Sequence, residues 1–372
     1  MSPAARTILV VCLVPFVIAA PFALVPSVLL VVAGETAAGR LFGLLGVAVT
    51  AIPFLVGYAL ASGRRRVATA VTALAASLLV VLAALTPPGI APGARVRSSF
   101  PGPAHYRRFA IANLLPEIDQ IKLGTYLVPA LDSIITVRSA RRLRELTMAI
   151  YRPMEADPDF RALGSVMSDA YDDRDSGHVY EYVPPAPDGA RLPAILFLHG
   201  SAGNFKAYFY AWRGFADAHR YVVLCPSFGW GDWYHPGGIE AVERARRHAV
   251  ADLPVDPSRI YLVGLSNGGT GVTRVAAANP EAYAGLVFLS AVMEPEVLGK
   301  AAFRRGWRGR SVLVIHGAKD DRIPIRSANA AVALLRDMGA RLTYRVYEDE
   351  DHFLLFSKPT AAFDDVARWL EP

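Results

Sequence analysis

Residues Tyr261–Gly271 read YLVGLSNGGTG, an apolar run that breaks into glycines around a single serine. Ahead of it, Ile260–Val263 has the length and branched aliphatic content of a short buried strand, and Asn267–Ala278 behind it has helix-forming residues. The frame Gly264-Leu265-Ser266-Asn267-Gly268 therefore falls on a tight strand-to-helix turn. Such a turn projects the serine hydroxyl, needs small neighbours where the backbone passes close to itself, and places a helix N-terminus beside the oxygen. The same string also occurs in ordinary glycine-rich turns. Its meaning depends on what surrounds it.

Working outward, the pattern is regular. Val179–Val183 alternates like a strand, and Leu192–Leu198, Tyr221–Leu224, Leu286–Leu289 and Val312–Ile315 are short apolar runs, with Leu342–Tyr347 as a last strand. Between and after them lie helix-like segments at Asn204–His219, Ile239–Val250, Ile325–Met338 and Thr360–Leu370. Buried strands alternating with helices imply βαβ units and a mostly parallel sheet covered on both faces. Residues 176–372 are thus expected to form one α/β domain, large enough for a substantial core.

The N-terminal quarter has a different character. The chain has 372 residues, 53% of them hydrophobic, with a mean hydropathy of +0.30. Three uncharged stretches, about 7–34, 41–63 and 67–87, each suffice for a membrane-crossing helix, so 1–94 is read as a transmembrane region. Pro15, Pro21 and Pro26 lie in the first stretch, where neighbouring helices tolerate kinks. An alternative is a signal peptide, but its small-residue site at Ala19-Ala20 is followed directly by Pro21 and the apolar run continues. With three spans starting inside, or with a cleaved signal followed by two spans, the chain after Ala94 is expected to emerge outside the cytoplasm. The positive-inside count agrees narrowly, with Arg6 and Arg64-Arg65-Arg66 on one side and Arg40, Arg95 and Arg97 on the other.

The formal charge of +6 comes mostly from arginines flanking those stretches: residues before Arg95 carry +4 and the rest only +2. That balance excludes the basic surface that follows a phosphate backbone, so the expected partner is a lipid bilayer and not nucleic acid. Cys12 and Cys225 fall in a predicted span and a predicted strand end and are not expected to pair; Cys225 reads as a small buried hydrophobe. Residues 95–175 are expected to be a juxtamembrane helical linker or cover, with helices around Tyr106–Leu115, Ile118–Val137 and Ala140–Tyr151. Arg138, Arg141, Arg142 and Arg144 there suit either a solvated helix face or anionic headgroups.

A serine hydroxyl is a poor nucleophile at neutral pH and needs a base, which in turn needs an orienting acid. Downstream of Ser266, VLVIHGAKDDRIP places Asp320 just past a strand end, and YEDEDHF places His352 just past the last one. Upstream, ILFLHGSAGN puts His199-Gly200-Ser201 after a strand, where backbone N–H groups face a developing oxyanion.

Together LHGSAGN, DPSRIYLVGLSNGG, HGAKDDRIP and DHF resemble the α/β-hydrolase superfamily, specifically its esterase and polyhydroxyalkanoate-depolymerase-like or feruloyl-esterase-like branches, with prolyl-oligopeptidase-type peptidases close behind. The resemblance covers about Gly177 to Pro372 and leaves the first 170 or so residues outside it. It implies an α/β-hydrolase fold whose triad follows the chain order serine, acid, histidine. Ser266 is then the nucleophile, His352 the general base and acid, and Asp320 the orienting carboxylate, with the amides of Ser201 and Asn267 as the oxyanion hole. Asp321 is the rival acid, but in H-G-x-x-D-x-x-I-P the first aspartate falls at the matching place.

The resulting expectation is a membrane-anchored serine hydrolase acting on a small-molecule carboxylic ester without cofactor or metal. A peptidase or acyltransferase on the same triad, and a non-catalytic binding module, stay open. The segment PSFGWGDWYHPGG offers Trp230, Trp233 and Tyr234 as a substrate wall or as loop packing, and His235 among them as a substrate contact or loop cap. His199 and His316 read as loop fasteners. Glu348–Asp351 read as a solvated loop, since consecutive side chains at a strand end diverge.

Overall fold

The computed structural model describes residues 3–62, 65–86, 94–102, 107–133, 135–165, 175 and 177–371. Arg64, the Pro-Gly stretch following Thr86, and Tyr106, the expected start of a helix, lie outside the described residues. Two compact units divide the chain, one of residues 1–88 and 107–144, the other of residues 89–106 and 145–372.

The first unit contains α1 (Pro3–Ala33), α2 (Ala37–Ser62), α3 (Arg65–Leu85), α4 (Ile111–Leu114), α5 (Glu117–Leu131) and residues 137–144 of α6 (Val137–Ala156). Val10–Ala33, Ala37–Ala59 and Arg66–Leu85 have mean hydropathies of 2.5, 2.0 and 2.4. Each is long and apolar enough to cross a bilayer. α1 stays helical through all three of its prolines. It meets α2 at small residues: a Cβ on Gly43 would lie 2.6 Å from the Ser27 carbonyl oxygen, a close approach typical of helices packed in apolar surroundings.

Asp119 of α5 reaches the turn between α1 and α2. Its carboxylate accepts from the Glu35 amide and the Thr36 hydroxyl, both at 2.6 Å, while Lys122 donates to Glu35 at 2.5 Å. The acid sits at the first turn of α2, where the unpaired amides favour negative charge. α5 closes at Leu131, short of the expected Val137, soon after Pro129 removes a backbone donor.

The second unit is built on one eight-stranded sheet: β1 (Val96–Ser99), β2 (Val179–Tyr182), β3 (Leu192–Leu198), β4 (Val222–Pro226), β5 (Val255–Leu265), β6 (Gly285–Leu289), β7 (Ser311–Gly317) and β8 (Arg341–Tyr347), in the order β1-β2-β4-β3-β5-β6-β7-β8. β2 is antiparallel to both β1 and β4, and the pairings from β4 through β8 are parallel. α7 (Pro158–Ala162) precedes β2. The later helices are α8 (Lys206–His219), α9 (Gly237–Asp252), α10 (Gly268–Ala278), α11 (Pro295–Leu298), α12 (Ala301–Trp307), α13 (Ile325–Asp337), α14 (Leu354–Ser357) and α15 (Pro359–Leu370).

Every residue of β3 is buried, because helices cover both sheet faces. Leu192, Ala194, Leu196 and Leu198 join Val242 and Ala245 of α9 and Val272 and Val275 of α10 in one core. On the other face Phe197 meets Trp212 of α8 at a ring distance of 5.7 Å, and Trp212 stands edge-on to Phe363 of α15 at 4.8 Å. This is the α/β-hydrolase architecture.

Two differences from the sequence reading have local causes. β5 starts at Val255, ahead of the expected Ile260, because Leu192 pairs with Val255 and Ala194 with Ile260 across a register shift. The extra residues are gathered by Asp256, whose carboxylate accepts from the Ser258 amide and hydroxyl. β1 lies within the segment read as a helical linker. Its VRSS sequence has one apolar residue, Val96, so it offers no strand periodicity and is recruited by pairing with β2.

Candidate active site

The strand ends of β3, β5, β7 and β8 deliver Ser201, Ser266, Asp320 and His352 to the carboxyl edge of the sheet, where open α/β sheets form their crevices. Ser266 has φ 52°, a left-handed conformation rare for a residue with a side chain. Flanking bonds hold it there: its amide donates to the Leu289 carbonyl at 3.1 Å and its carbonyl accepts from the Val292 amide at 2.9 Å. Such strain persists only when the surroundings fix it. Gly268 is required by the same turn, since a Cβ there would lie 2.1 Å from the Leu198 carbonyl oxygen.

His352 Nε2 lies 3.0 Å from Ser266 Oγ, and its Nδ1 lies 2.9 Å from Asp320 Oδ2. Asp320 Oδ1 accepts from the amides of Arg322 and Ile323 at 3.0 and 2.7 Å, so both oxygens are engaged and the carboxylate is fixed. Asp320 and His352 are buried, Ser266 is half-buried, and Asp321 is exposed. The acid and histidine loops are tied together by amide-to-carbonyl bonds from Ala318 to Tyr347 and from Lys319 to Glu350.

Three carboxylates of the EDED run take separate partners. Asp349 pairs with Lys319 at 2.8 Å, Glu350 accepts from Ser357, and Asp351 caps the Phe353 amide.

Around Ser266, Gly200 lies so close that a Cβ would come 3.1 Å from that of the serine. The amides of Ser201 and Asn267 donate to no protein acceptor among the described residues. The strand-to-loop segment that carries Ser201 is held by residues the sequence reading did not connect. His199 Nδ1 bonds the Gly200 carbonyl at 2.8 Å and its Nε2 accepts from the Phe228 amide, which fixes a neutral imidazole with its proton on Nδ1. Burial pushes this histidine down to about 4. Ala202, at φ 75°, donates to the Trp230 carbonyl, and the Asn267 side chain donates to the Gly231 carbonyl. The clue present in the sequence is the pair of glycines in GWGDW, both at positive φ in the structure.

His316 likewise fastens a loop, bonding the Ile323 carbonyl at 2.8 Å, and burial lowers its pKa. His178, also buried, lies between the Ser98 and Ser227 hydroxyls at 2.5 and 3.2 Å. Burial pushes it down to about 3.

The three aromatic candidates separate. Trp233 is fully buried, donates its indole N–H to the His199 carbonyl at 2.8 Å, and packs on Phe228 and His199. A Cβ on Gly271 would lie 3.1 Å from its ring. Trp233 is therefore loop and core packing and presents no wall to a ligand, a correction to its assignment as substrate-binding. Trp230 and Tyr234 remain exposed. The Tyr234 carbonyl accepts from Arg274, which grips Glu294 with two further bonds at 2.7 and 2.8 Å.

The second unit has the α/β-hydrolase fold, and Ser266, His352 and Asp320 stand within hydrogen-bonding distance of one another at its carboxyl edge. Residues 240–367 match the family profile described as Phospholipase/Carboxylesterase. The chain is similar to poly(3-hydroxyalkanoate) depolymerase C of Paucimonas lemoignei, 28% identical over 122 residues, which are 29% of each protein, so it matches under a third of that relative's length. Among solved structures it is similar to a thermostable esterase, with 21% identity, 52% of this chain and 58% of that one covered, and a TM-score of 0.43. It is also similar to fluorophosphonate-binding serine hydrolase F of Staphylococcus aureus, with 14% identity, coverage of 52% and 91%, and a TM-score of 0.45.

Proposed function

We propose that this chain is a membrane-anchored hydrolase that cleaves carboxylic esters through an acyl-Ser266 intermediate. The observation that carries the reading is the unbroken contact from Asp320 through His352 to a strained Ser266, at 2.9 and 3.0 Å. His352 Nε2 takes the hydroxyl proton as Ser266 Oγ attacks the carbonyl carbon. Asp320 accepts from Nδ1–H, which holds the productive tautomer and favours the imidazolium that forms. The amides of Ser201 and Asn267 stabilise the oxyanion, each worth about 3 kcal/mol in such sites. Collapse expels the alcohol, protonated by His352; water deprotonated by His352 then attacks the acyl group and releases the acid.

Neutral esters with short or medium acyl groups, or aromatic acids, fit a rim that carries Trp230 and Tyr234. The three membrane-length helices anchor the enzyme, with the hydrolase outside the cytoplasm, an orientation supported by Arg6 and Arg64-Arg65-Arg66 on one side against Arg40, Arg95 and Arg97 on the other.

A fluorophosphonate probe is expected to label Ser266, and Ser266→Ala or His352→Ala to lower ester turnover at least about a thousandfold. Asp320→Asn is expected to be crippling, while Asp321→Asn retains most activity. A folded wild-type chain inert to the probe and to a broad ester panel overturns the enzymatic reading, and the reverse ranking of the two aspartates overturns the assignment of the acid. For topology, protease added to intact cells or spheroplasts should reach the hydrolase. Protection there, with cleavage only after lysis, would place it in the cytoplasm.

A further inference from the structure

Asn267 holds the N-cap position of α10, where an asparagine side chain ordinarily accepts a hydrogen bond from an amide of the first turn. It makes no such bond here. Its Oδ1 accepts instead from the Thr270 hydroxyl at 3.3 Å, and its Nδ2 donates to the Gly231 carbonyl, in the loop that follows β4. The capping role is replaced by a tie between the serine turn and that loop.

The loop that carries Ser201 is packed against both. A Cβ on Gly200 would come 3.1 Å from the Ser266 Cβ, and one on Gly231, which sits at φ 92°, would come 2.6 Å from the Gly200 carbonyl oxygen. The three backbone segments stack too closely for a side chain to separate them. Past Gly200 the loop has little burial to hold it, since Ser201 and Ala202 are exposed. Ala202 adopts φ 75° and donates its amide to the Trp230 carbonyl at 2.9 Å. The Ser201 amide is thus placed by Trp230-Gly231, which the Asn267 side chain ties to the turn that presents the Asn267 amide.

We infer that the Asn267 carboxamide is a positioning group for the reaction, setting the separation and aim of the two oxyanion donors, the amides of Ser201 and Asn267. The inference rests on the hydrolase reading above and deepens it. Charge reaches the substrate carbonyl oxygen only in the tetrahedral state. A loosened clamp therefore weakens binding of that state and leaves ground-state binding nearly unchanged.

The full chain in detergent is titrated with an alkyl trifluoromethyl ketone and with the alcohol of the same carbon skeleton. When the ketone binds, Ser266 Oγ bonds to the carbonyl carbon, the C=O π pair moves onto oxygen, and the hydroxyl proton passes to His352 Nε2. The adduct carries the oxyanion, whereas the alcohol fills the same crevice without one. Asn267→Ala is expected to weaken the ketone and to lower kcat about tenfold to a hundredfold, less than the outright loss of a donor, while the alcohol binds within about twofold. Thr270→Val removes the hydroxyl that orients the carboxamide and should weaken the ketone about threefold, again sparing the alcohol. It carries the same test if melting curves show that Asn267→Ala does not fold. Equal losses for ketone and alcohol, or an unchanged ketone affinity in a folded variant, overturn the inference while the wild type still prefers the ketone. A wild type that binds ketone and alcohol alike overturns the hydrolase reading itself.

Discussion

The two units solve opposite problems with the same apolar residues. In the second, a sheet covered on both faces buries Phe197, Trp212 and Trp233 completely. In the first, Phe22 is 80% exposed and Ile18 64%, on a helix long enough to span a bilayer. Hydrophobic content therefore does not distinguish a core from a lipid-facing surface. Periodicity broken by glycine and polar turns marks the core, whereas uninterrupted length marks the other. Glycine shows the same contrast. In the first unit a Cβ on Gly46 would meet the Ser27 hydroxyl at 2.2 Å, and in the second one on Gly268 would meet a backbone carbonyl at 2.1 Å.

Three measurements sharpen or break this contrast. Trp233→Ala should cost the second unit about 3–5 kcal/mol, while Phe22→Ala, facing outward, should stay within about 0.5 kcal/mol. Chemical denaturation of the full chain in detergent reads both, and comparable losses would mean that the first unit's exposed face is packed in the native protein. Gly268→Ala should cost about 3 kcal/mol or more, because a carbonyl in a strand cannot move aside. Gly46→Ala should cost about 1 kcal/mol, because a serine hydroxyl can rotate. Equal effects would deny that the Gly268 contact is the tighter of the two.

The third measurement is the pH dependence that histidines confer, expected of the second unit alone, since residues 1–88 and 107–144 contain no histidine. Burial holds His178 down to about 3 and His199 to about 4 in the folded state, against about 6.5 unfolded. The unfolded chain thus binds protons that the folded one refuses. The stability these neutral imidazoles confer is present above about pH 6.5 and is lost as pH falls through their folded pKa values. Each contributes about one proton of slope across that window. His248, raised by its hydrogen bond to Glu181, acts in the opposite sense: its contribution is present below about pH 6.5 and is lost as pH rises through its raised value. Melting curves from pH 7 to pH 4 should fall more steeply for the wild type than for His178→Asn, and identical slopes would show that His178 is not held neutral.

By itself the sequence determined the elements whose signal is local. Leu192–Leu198 was read at its observed bounds, and the main helices to within a few residues, because apolar period and turn residues are short-range properties. Ser266, Asp320 and His352 could be named because each follows an apolar strand within a short motif, and parallel strands bring their carboxyl ends to one edge. Only the tertiary structure decided what depends on partners distant in the chain. VRSS becomes a strand because β2 offers it an edge. Trp233 turns inward because the His199 carbonyl and the bare Gly271 surface receive its ring, whereas Trp230, three residues earlier, stays exposed. Asp320 engages the imidazole and its neighbour Asp321 faces solvent, since the amides of Arg322 and Ile323 turn only the first carboxylate inward. A side chain's direction is set by which donors and cavities surround it in space, and sequence adjacency does not encode them.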